Sequence, residues 1–483
     1  MKLSQIFVRR KSLLLLAVSG LVGLLVLALV AATLLLFVNA NAYKPQLEAT
    51  VSRALGMEVK VEGSLRISFF PGLILTLQGV HVRNHGVEIA SAAEARLGID
   101  IFPLLQKKVR VDSIVLKNPT ISIEREGDGQ FNFVTAATVG EGLPTLNLSS
   151  VSLTDGILHY ADKQSGKVFE AGNCGLQLHH LQLSQGKSPD LMKDLAFTGD
   201  LTCGEIRIND FTVSDLKVSA NGKDGVFYLQ PVTMQVFDAQ GTGSIHADFS
   251  GAVADYSIHY SLPQFQIAEF FKTLSPQKIA EGRMDFSVDL ALQGRTAAEM
   301  RRTLEGDISL RGKDLTLKGH NLDKEFSRFE SSQHFNLVDV GAVFFAGPLG
   351  LVVTKGYNFT SLLQRSGGSS EIRTLVSDWK VERGVAQAQD VALATDKNRI
   401  ALHGGLDFIN DKFDDVTVAV IDAKGCVKVR QKIGGSFQKP VVENQSLVKT
   451  LTGPVWKLLK TGRKLFPAGK CDVFYAGSVA PPK

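Results

Sequence analysis

The amino-acid sequence predicts a mainly β protein that begins with a transmembrane helix and continues as an extended antiparallel sheet with a few short helices. Two observations carry this fold class. A long uncharged apolar run lies near the N-terminus, and short segments of alternating apolar and polar residues recur over most of the remaining chain. Such alternation is typical of strands with one buried face, and strands that follow strands with few intervening helices favour antiparallel pairing.

The N-terminal segment has the pattern of a membrane anchor. Residues Ser12–Val38 carry no charge over roughly 27 residues, more than the ~20 that a helix needs to cross a bilayer. The preceding residues, MKLSQIFVRRK, are basic, so we expect Met1–Lys11 in the cytoplasm and the chain beyond about Asn41 outside it. Ala40–Ala42 resembles a signal-peptidase site, and a cleaved signal is the alternative. Both interpretations place the body outside the cytoplasm.

The composition is that of a folded, turn-rich chain with only a mild excess of positive charge. The 483 residues include 53 Lys and Arg against 48 Asp and Glu, which gives a net charge of +5. That balance does not favour nucleic acid as a partner, and no long basic stripe is interleaved with aromatic residues. Hydrophobic residues make up 44%, and 45 glycines stand against 15 prolines. These values exclude wholesale disorder and fit β structure with many turns.

The stretch EVKVEGSLRISFFPGLILTL, from Glu58 to Leu77, shows the alternation most clearly. Its odd-numbered positions are mostly apolar and its even-numbered ones mostly polar, with Phe70 and Ile74 as exceptions. Successive side chains of a strand point to opposite faces, so the odd positions build one apolar face. The candidate lipid-facing residues on it are Val59, Val61, Leu65, Ile67, Phe69, Leu73, Leu75 and Leu77. Ordinary core packing is the alternative, because any half-buried strand shows this pattern.

Turn and helix signals divide the chain around this stretch. A helix is predicted within the segment YKPQLEATVSRALG, which begins at Tyr43. Pro45 suits its first turn, and Gly56 lies just past its end. Pro71–Gly72 should separate two strands. At Gly79 the parity of the apolar positions flips, as expected at a turn or bulge.

Later signals continue the same plan. Asn118–Pro119 should break one strand from the next, and residues 163–166 should form the tip of a hairpin. Short helices are predicted over Ile267–Pro276 and about Thr296–Leu304, between strands that end at Gly294 and resume at Gly306. Another hairpin should turn at Asn410–Lys412.

Four cysteines, at Cys174, Cys203, Cys426 and Cys471, are candidates for disulfides if the body is exported. Four cysteines allow three pairings, of which nearest neighbours would give Cys174–Cys203 and Cys426–Cys471. Free buried thiols are the alternative. No CxxC pair exists, so the cysteines do not predict a metal site.

No motif for catalysis or cofactor binding is present in the sequence, so we expect neither enzymatic activity nor a cofactor or metal. GxSxG, HExxH and the dinucleotide fingerprint are all missing. Gln185–Ser188, QGKS, ends like a phosphate-binding loop, but Leu181 stands where that loop needs a glycine. His179 and His180 are strand neighbours that face opposite ways and cannot share one metal. Asp411–Asp415 is predicted to be a polar turn.

The C-terminal segment PVWKLLKTGRKLF, from Pro454 to Phe466, predicts a basic amphipathic helix. An apolar stripe follows one side, and lysines gather away from it. This pattern suits a helix that lies in the interface of an anionic membrane. The residues of this candidate interfacial helix are Trp456, Lys457, Leu459, Lys460, Arg463 and Lys464. Docking of the stripe on the end of the β structure is the alternative.

The order of these features resembles the AsmA family of bacterial envelope proteins. The resemblance rests on the anchor with YKPQLEATVSRALGMEVKVEGSLRISFFPGLILTLQGVHVRN, and on IDIFPLLQKKVRVDSIVLKNPTISIEREGDGQFNF. It continues in SVSLTDGILHYADKQSGK, LALQGRTAAEMRRTLEGDISLRGKDLTLKG and IGGSFQKPVV. The family is associated with assembly and lipid balance of the outer membrane. Its larger members imply an elongated, curved β-groove that carries lipid between membranes.

From the residues and this resemblance together we expect a single-pass protein of the bacterial inner membrane with a periplasmic body. Its function would be outer-membrane biogenesis, with phospholipid bound or guided along a hydrophobic β-groove whose concave side carries the odd-numbered face. The alternative is a non-catalytic periplasmic scaffold that interacts with envelope assembly proteins. The expected regions are an anchor (1–42), an N-terminal AsmA-like β domain (43–135), a middle β region (136–260), a C-terminal AsmA-like β region (261–445) and a helical tail (446–483).

Overall fold

The computed structural model describes most of the chain between residues 40 and 482. The described ranges are 40–70, 72–106, 110–127, 130–133, 146–163, 166–183, 191–208, 211–273, 280–319, 321–324, 368–442, 446–447 and 473–482. The expected transmembrane segment, Gln185–Ser188 and the predicted C-terminal helix lie outside these ranges. Within them, every helix is too short or too polar to span a membrane.

The chain divides into two compact units. Unit 1 comprises residues 1–123 and 130–141, and unit 2 comprises residues 124–129 and 142–483. The expected boundary at residue 135 lies near the end of unit 1. Residue 260, by contrast, lies inside a strand of unit 2 that runs from Asp255 to Gln266 and pairs on both sides. The sheet of unit 2 therefore continues without a break across that position.

Unit 1 is a small antiparallel sheet with a helix beside it. Its elements are a 3-10 turn (Ala40–Tyr43), α1 (Lys44–Leu55), β1 (Glu58–Val61), β2 (Leu65–Ser68), β3 (Leu73–Asn84), β4 (Val87–Ile99), α2 (Ile101–Leu105) and β5 (Val111–Arg125). β3 pairs with both β1 and β2 on one side and with β4 on the other, and β4 pairs with β5. α1 follows the prediction, and Gly56 after it takes the left-handed φ of +68° that ends many helices.

Unit 2 is a long, curved and open antiparallel sheet. Its strands are β6 (Leu146–Asp162), β7 (Lys167–Leu183), β8 (Leu195–Ile208), β9 (Phe211–Lys223), β10 (Val226–Val236), β11 (Ala239–Asp248), β12 (Asp255–Gln266), β13 (Ala280–Glu281), β14 (Arg283–Gln293), β15 (Glu305–Lys318), β16 (Ser369–Glu382), β17 (Val385–Thr395), β18 (Arg399–Asp407), β19 (Lys412–Ile421), β20 (Val427–Ser436), β21 (Lys439–Val442) and β22 (Ser446–Leu447). Its described helices are α3 (Leu191–Asp194), α4 (Ile267–Lys272) and α5 (Ala297–Thr303).

The strands of unit 2 pair almost entirely in sequence order. Pairing runs from β6 to β12, passes to β14, and continues from there to β20. The short strand β13 pairs with β15 instead. The mainly β, antiparallel fold class predicted from the sequence is confirmed.

Left-handed residues at matching levels of neighbouring strands introduce β-bulges. Asp155, Asn173 and Asp215 have φ of 53°, 52° and 50°, a conformation that Asp and Asn tolerate better than most residues with a side chain. Asn173 lies opposite Gly204, and Gly204 lies opposite Asp215, because the flanking pairs are in register. A bulge bends its strand and increases the local twist. The register shifts at Asp155 and Asn173 between β6 and β7, and at Asp215 between β9 and β10, therefore add to the bend and twist of the sheet.

The strand break predicted at Asn118–Pro119 is wrong. β5 runs through both residues, and Pro119 lies opposite Ala92 of β4. Asn118 takes a left-handed φ of 48°, yet the register with β4 is the same on both sides of it, since Lys117 pairs with Glu94 and Pro119 with Ala92. At Gly79, where a turn or bulge was predicted, β3 continues in register with β4, and the flip in parity coincides with a left-handed φ of +62°.

The core of unit 2 lies on one face of its sheet. Leu310, Leu375 and Leu393 on β15, β16 and β17 are fully buried, and Trp379 is 1% exposed. They belong to one cluster that reaches from β7 to β20 and includes the buried side of α4. This part of the sheet face is closely packed.

The opposite face of β16–β19 is covered by the C-terminal segment, residues 473–482. Alanines on this face, among them Ala392, Ala401 and Ala419, let Tyr475 and Val479 approach the sheet closely. Cys426 forms a β-bridge with Val473 at the start of the segment. Both faces of these four strands are therefore buried.

Candidate functional site

The odd-numbered residues selected from the sequence all lie in unit 1, where cross-strand pairing arranges them in rows. Leu65 on β2 lies opposite Leu77 on β3, and Ile67 lies opposite Leu75. β4 extends both rows, because Ala95 pairs with Leu77 and Leu97 pairs with Leu75. Aliphatic side chains opposite one another make a continuous apolar surface across strands.

The first half of this surface is a packed core. Val59, Val61, Leu65 and Leu77 are each less than 9% exposed. Leu47 of α1 packs against the cluster that the last three form with Ala95. For these four residues, the interpretation as an ordinary core fits the structure, because a helix covers them.

The second half stays open. Ile67 and Phe69 are 38% and 44% exposed, and Leu73 and Leu75 are only half-buried. Register adds half-buried aliphatic residues from the next strands, since Leu75 pairs with Leu97, Leu73 with Ile99, and Leu97 with Ile114. We call this half the open apolar face; it comprises Ile67, Phe69, Leu73, Leu75, Leu97, Ile99 and Ile114.

Side chains of α1 satisfy the backbone of the short edge strands. Ser52 Oγ accepts a hydrogen bond from the Val59 N–H at 2.8 Å, and Glu48 Oε1 accepts one from the Val61 N–H at 2.8 Å. Lys44 Nζ donates to the carbonyl oxygen of Gly63 at 3.2 Å. These bonds hold α1 over the packed half of the surface.

The other face of the same strands carries charge. Arg96 Nε donates to Glu94 Oε1 at 2.7 Å, and Lys117 Nζ lies 3.2 Å from the same oxygen. The hydrogen bond from Lys117, together with the charge of Arg96, lowers the pKa of Glu94 against a smaller opposing effect of burial. The sheet of unit 1 is therefore amphipathic, with ion pairs on one side and the open apolar face on the other.

Five residues of the apolar surface were not selected from the sequence. They come from β4 and β5 and align with the selected rows: Ala95, Leu97, Ile99, Ile114 and Leu116. The signal was present, because Ala95, Leu97 and Ile99 alternate with Glu94, Arg96 and Gly98. Only the register, however, brings them beside Leu75 and Leu77.

Unit 2 contains a polar pocket where the ends of β9 and β10 meet α4. Its volume is about 870 Å³. The lining residues include Phe211, Asp215, Asp238, Glu269 and Lys272. Lys272 Nζ donates to Glu269 Oε1 at 2.5 Å, and Asp238 accepts a hydrogen bond from the Gln266 side chain. Throughout the described ranges, no group of three or more His, Cys, Asp or Glu side chains is placed to hold a metal ion.

The remaining sequence-selected residues are spread over unit 2. Cys174 and Cys203 lie opposite each other on β7 and β8 and form a disulfide. Cys426 is also disulfide-bonded, whereas Cys471 and the candidate interfacial helix lie outside the described residues. His179 and His180 are both exposed on β7.

The long open antiparallel sheet of unit 2 and the amphipathic sheet of unit 1 define a mainly β protein with few short helices in the described ranges. The AsmA family model matches residues 10–186 and 177–332, and the chain belongs to the AsmA family. The match includes all described residues of unit 1. The segment IGGSFQKPVV, Ile433–Val442, which also resembles the family in sequence, lies beyond the match. A search of curated proteins finds no match. Family membership and the large open sheet fit an envelope-related role.

Proposed function

We propose that the protein is anchored in the inner membrane and binds acyl chains of phospholipids on the open apolar face of unit 1, in the service of outer-membrane biogenesis. The observation that carries this proposal is the row Ile67, Leu75, Leu97 and Ile114, whose members pair in register and stay partly exposed. Contiguous exposed apolar surface marks binding sites more often than scattered apolar residues do.

The strength of such binding follows from the chemistry of the face. Its described members are all aliphatic or aromatic, so they can exclude water from a hydrocarbon chain without orienting it. Each methylene removed from water contributes ~0.8 kcal/mol. Several methylenes along one row are therefore enough to hold a lipid. Because the members of the face offer no polar side chain to fix the acyl chain, the chain can move along the row.

The proposed anchor places unit 1 beside a bilayer, which is the source of the lipid. The uncharged run Ser12–Val38 follows a basic segment and precedes α1 almost directly, which supports an orientation with the N-terminus in the cytoplasm and the body in the periplasm. A face that begins beside a bilayer has phospholipid as its most abundant apolar neighbour.

A second candidate function is a scaffold that binds envelope assembly proteins without handling lipid. It is favoured by unit 2, where Leu310, Leu375 and Leu393 are fully buried in a packed core. In that case the open apolar face would receive a protein segment instead of an acyl chain.

Site-specific photo-crosslinking in living cells separates the two functions. Crosslinkers replace Ile67 and Leu75 on the open apolar face, and Arg66, which is exposed on the opposite face of β2, serves as the matched control. Lipid binding predicts phospholipid adducts at Ile67 and Leu75 and none at Arg66. Adducts with protein alone at both test positions would reject lipid binding and support the scaffold.

A further inference from the structure

Exposed apolar side chains gather at one end of unit 1. Phe70 is 89% exposed and Phe102 is 80% exposed, and beside them Phe69 and Ile101 are 44% and 49% exposed. Phe69 and Phe70 follow β2, and Ile101 and Phe102 form the start of α2. Exposed apolar side chains that lie together mark an interaction site more often than scattered ones do.

Both pairs lie at the same end of the sheet. Ser68 at the end of β2 pairs with Ile74, and Ile99 at the end of β4 pairs with Leu73. The chain segments that follow Ser68 and Ile99 therefore both extend past the start of β3. We call the residues Phe69, Phe70, Ile101 and Phe102 the apolar tip.

The loop that carries Phe102 is fixed by its own hydrogen bonds. The Phe102 N–H donates to Asp100 Oδ1 at 3.1 Å, and the Asp100 N–H donates to the carbonyl oxygen of Arg110 at 2.9 Å. The Gln106 N–H donates to the carbonyl oxygen of Pro103 at 2.9 Å. Local bonds thus define the loop backbone while the Phe102 ring remains in solvent.

The N-terminal part of the chain joins the sheet at the start of β2, the strand that leads to the apolar tip. Asn41 Oδ1 accepts a hydrogen bond from the Leu65 N–H at 2.9 Å, and β2 runs from Leu65 toward Phe69. The end of α1 lies at the other half, because β1 follows it with Glu58 opposite Arg83. In the sequence, the uncharged run Ser12–Val38 directly precedes the residues that join the sheet beside β2.

We propose that the apolar tip is a second membrane contact, which inserts into the boundary between headgroups and acyl chains of the bilayer that holds the anchor. This inference rests on the proposed anchor. Aromatic and aliphatic side chains are favoured at that depth. Arg110, which is exposed where the α2 loop returns to the sheet, adds a positive charge suited to anionic headgroups.

The contact would also give the open apolar face a defined entrance. Its outermost row, Leu73 with Ile99, is the row next to the apolar tip. Insertion of the tip would set this row at the membrane surface. An acyl chain could then pass from the bilayer to the face while exposing few methylenes to water.

Fluorescence quenching by brominated phospholipids tests the contact. The full chain is reconstituted in vesicles of phosphatidylethanolamine and phosphatidylglycerol that contain phosphatidylcholine brominated on one acyl chain. Phe70→Trp and Phe102→Trp place a probe on the apolar tip. Val87→Trp is the matched control, since Val87 is 54% exposed and lies at the far end of β3 and β4, roughly 35 Å away at ~3.3 Å per residue. The wild-type signal of Trp379 and Trp456 is subtracted.

We expect Phe70→Trp and Phe102→Trp to lose most of their added fluorescence, and Val87→Trp to lose none. Equal quenching at the three positions, or none at any, would overturn the proposal. Quenching of the tip probes in detergent that contains only a few brominated lipids per chain would also overturn it. Quenching without a bilayer would come from a lipid bound on the open apolar face. Tip probes that neither bromine nor aqueous iodide quenches would also overturn it, since a protein segment or second copy would cover them. Lipid adducts at Ile67 and Leu75 test the proposed function independently.

Discussion

Arg399 Nη1 donates a hydrogen bond of 2.9 Å to the carbonyl oxygen of Val479, which joins β18 to the C-terminal segment. Nη2 of the same guanidinium donates to the carbonyl oxygens of Asp422 and Ala423 at 3.0 and 3.3 Å. The Arg399 side chain is buried, and its guanidinium carbon lies 5.5 Å from the centre of the Tyr475 ring. One buried cation therefore satisfies three carbonyl groups and fixes the segment on the sheet.

Replacing this cation should loosen the C-terminal segment. Arg399→Met keeps much of the side-chain volume but leaves the three carbonyl groups without their donor, so we expect unit 2 to lose about 2–4 kcal/mol of unfolding free energy. Denaturant unfolding measures the loss. Arg302→Met on the exposed surface of α5 is the control and should change stability by less than about 0.5 kcal/mol. Equal effects of the two substitutions would contradict the role given to Arg399.

Asp390 should make the docking of this segment sensitive to acid. The Tyr475 hydroxyl donates to Asp390 Oδ1 at 2.5 Å, and the Ser478 N–H donates to Oδ2 at 3.0 Å. Burial alone would raise the pKa of Asp390, but the hydrogen bonds from Ser478 and Tyr475 outweigh it and hold the pKa below the ordinary 3.8. The contribution to stability is therefore complete above pH 3.8 and is lost as the pH falls through the lower folded-state pKa.

The test compares wild type with Asp390→Asn over a series of pH values. The asparagine cannot be protonated in this range, so the wild type should be more stable near neutral pH and this advantage should shrink in acid. Unfolding free energies at each pH give the difference directly. A difference that stays constant from neutral to acidic pH would show that ionised Asp390 does not stabilise the segment.

A charge on the apolar surface of unit 1 should act differently in its two halves. Leu75→Asp lies on the half-buried open apolar face, where the carboxylate can reach water, so the unit should stay folded and bind less phospholipid. Val61→Asp lies beneath α1 at 3% exposure, and an unpaired charge there should unfold unit 1. Circular dichroism and co-purified phospholipid report the two outcomes. Unfolding by Leu75→Asp would mean that this half is also a packed core.

The Cys174–Cys203 disulfide should stabilise the first strands of unit 2. It links residues 29 positions apart, and closing a loop of that length lowers the entropy of the unfolded chain, which raises its free energy by about 3.6 kcal/mol at room temperature. Cys174→Ser with Cys203→Ser should lose about that amount in denaturant unfolding. Thiol alkylation followed by mass spectrometry of protein from an oxidising compartment should find both cysteines unalkylated, because the disulfide protects them from the reagent. Free thiols at these positions would contradict the prediction.

Topology is open to a direct check by reporter fusions. The proposed anchor places residues 1–11 in the cytoplasm and unit 2 in the periplasm, because basic flanks remain on the cytoplasmic side. Alkaline phosphatase fused after Asn221, in β9, should be active, and green fluorescent protein fused there should be dark. The reverse pattern would place the body in the cytoplasm and remove the basis for the proposed lipid supply.

Local features of the fold followed from the sequence because they depend on neighbouring residues. The alternation from Glu58 to Leu77 predicted strands, since successive side chains of an extended backbone point to opposite faces. The flip in parity predicted an irregular backbone at Gly79, which takes a left-handed φ of +62°. The short helix predicted over about Thr296–Leu304 is found at Ala297–Thr303, where the Thr296 hydroxyl accepts a hydrogen bond from the Glu299 N–H while Glu299 caps in return.

Which apolar residues are covered was decided only by the tertiary structure. Val61 and Ile67 are equivalent in the alternation, yet α1 buries the first and leaves the second exposed. Ile114 joins Ile67 in one row through strands that are distant in sequence. Arg399 reaches Val479 across 80 positions. Strand parity is set by each residue's own backbone, whereas register and covering segments are selected by the free energy of contacts between distant parts of the chain, which a local pattern does not encode.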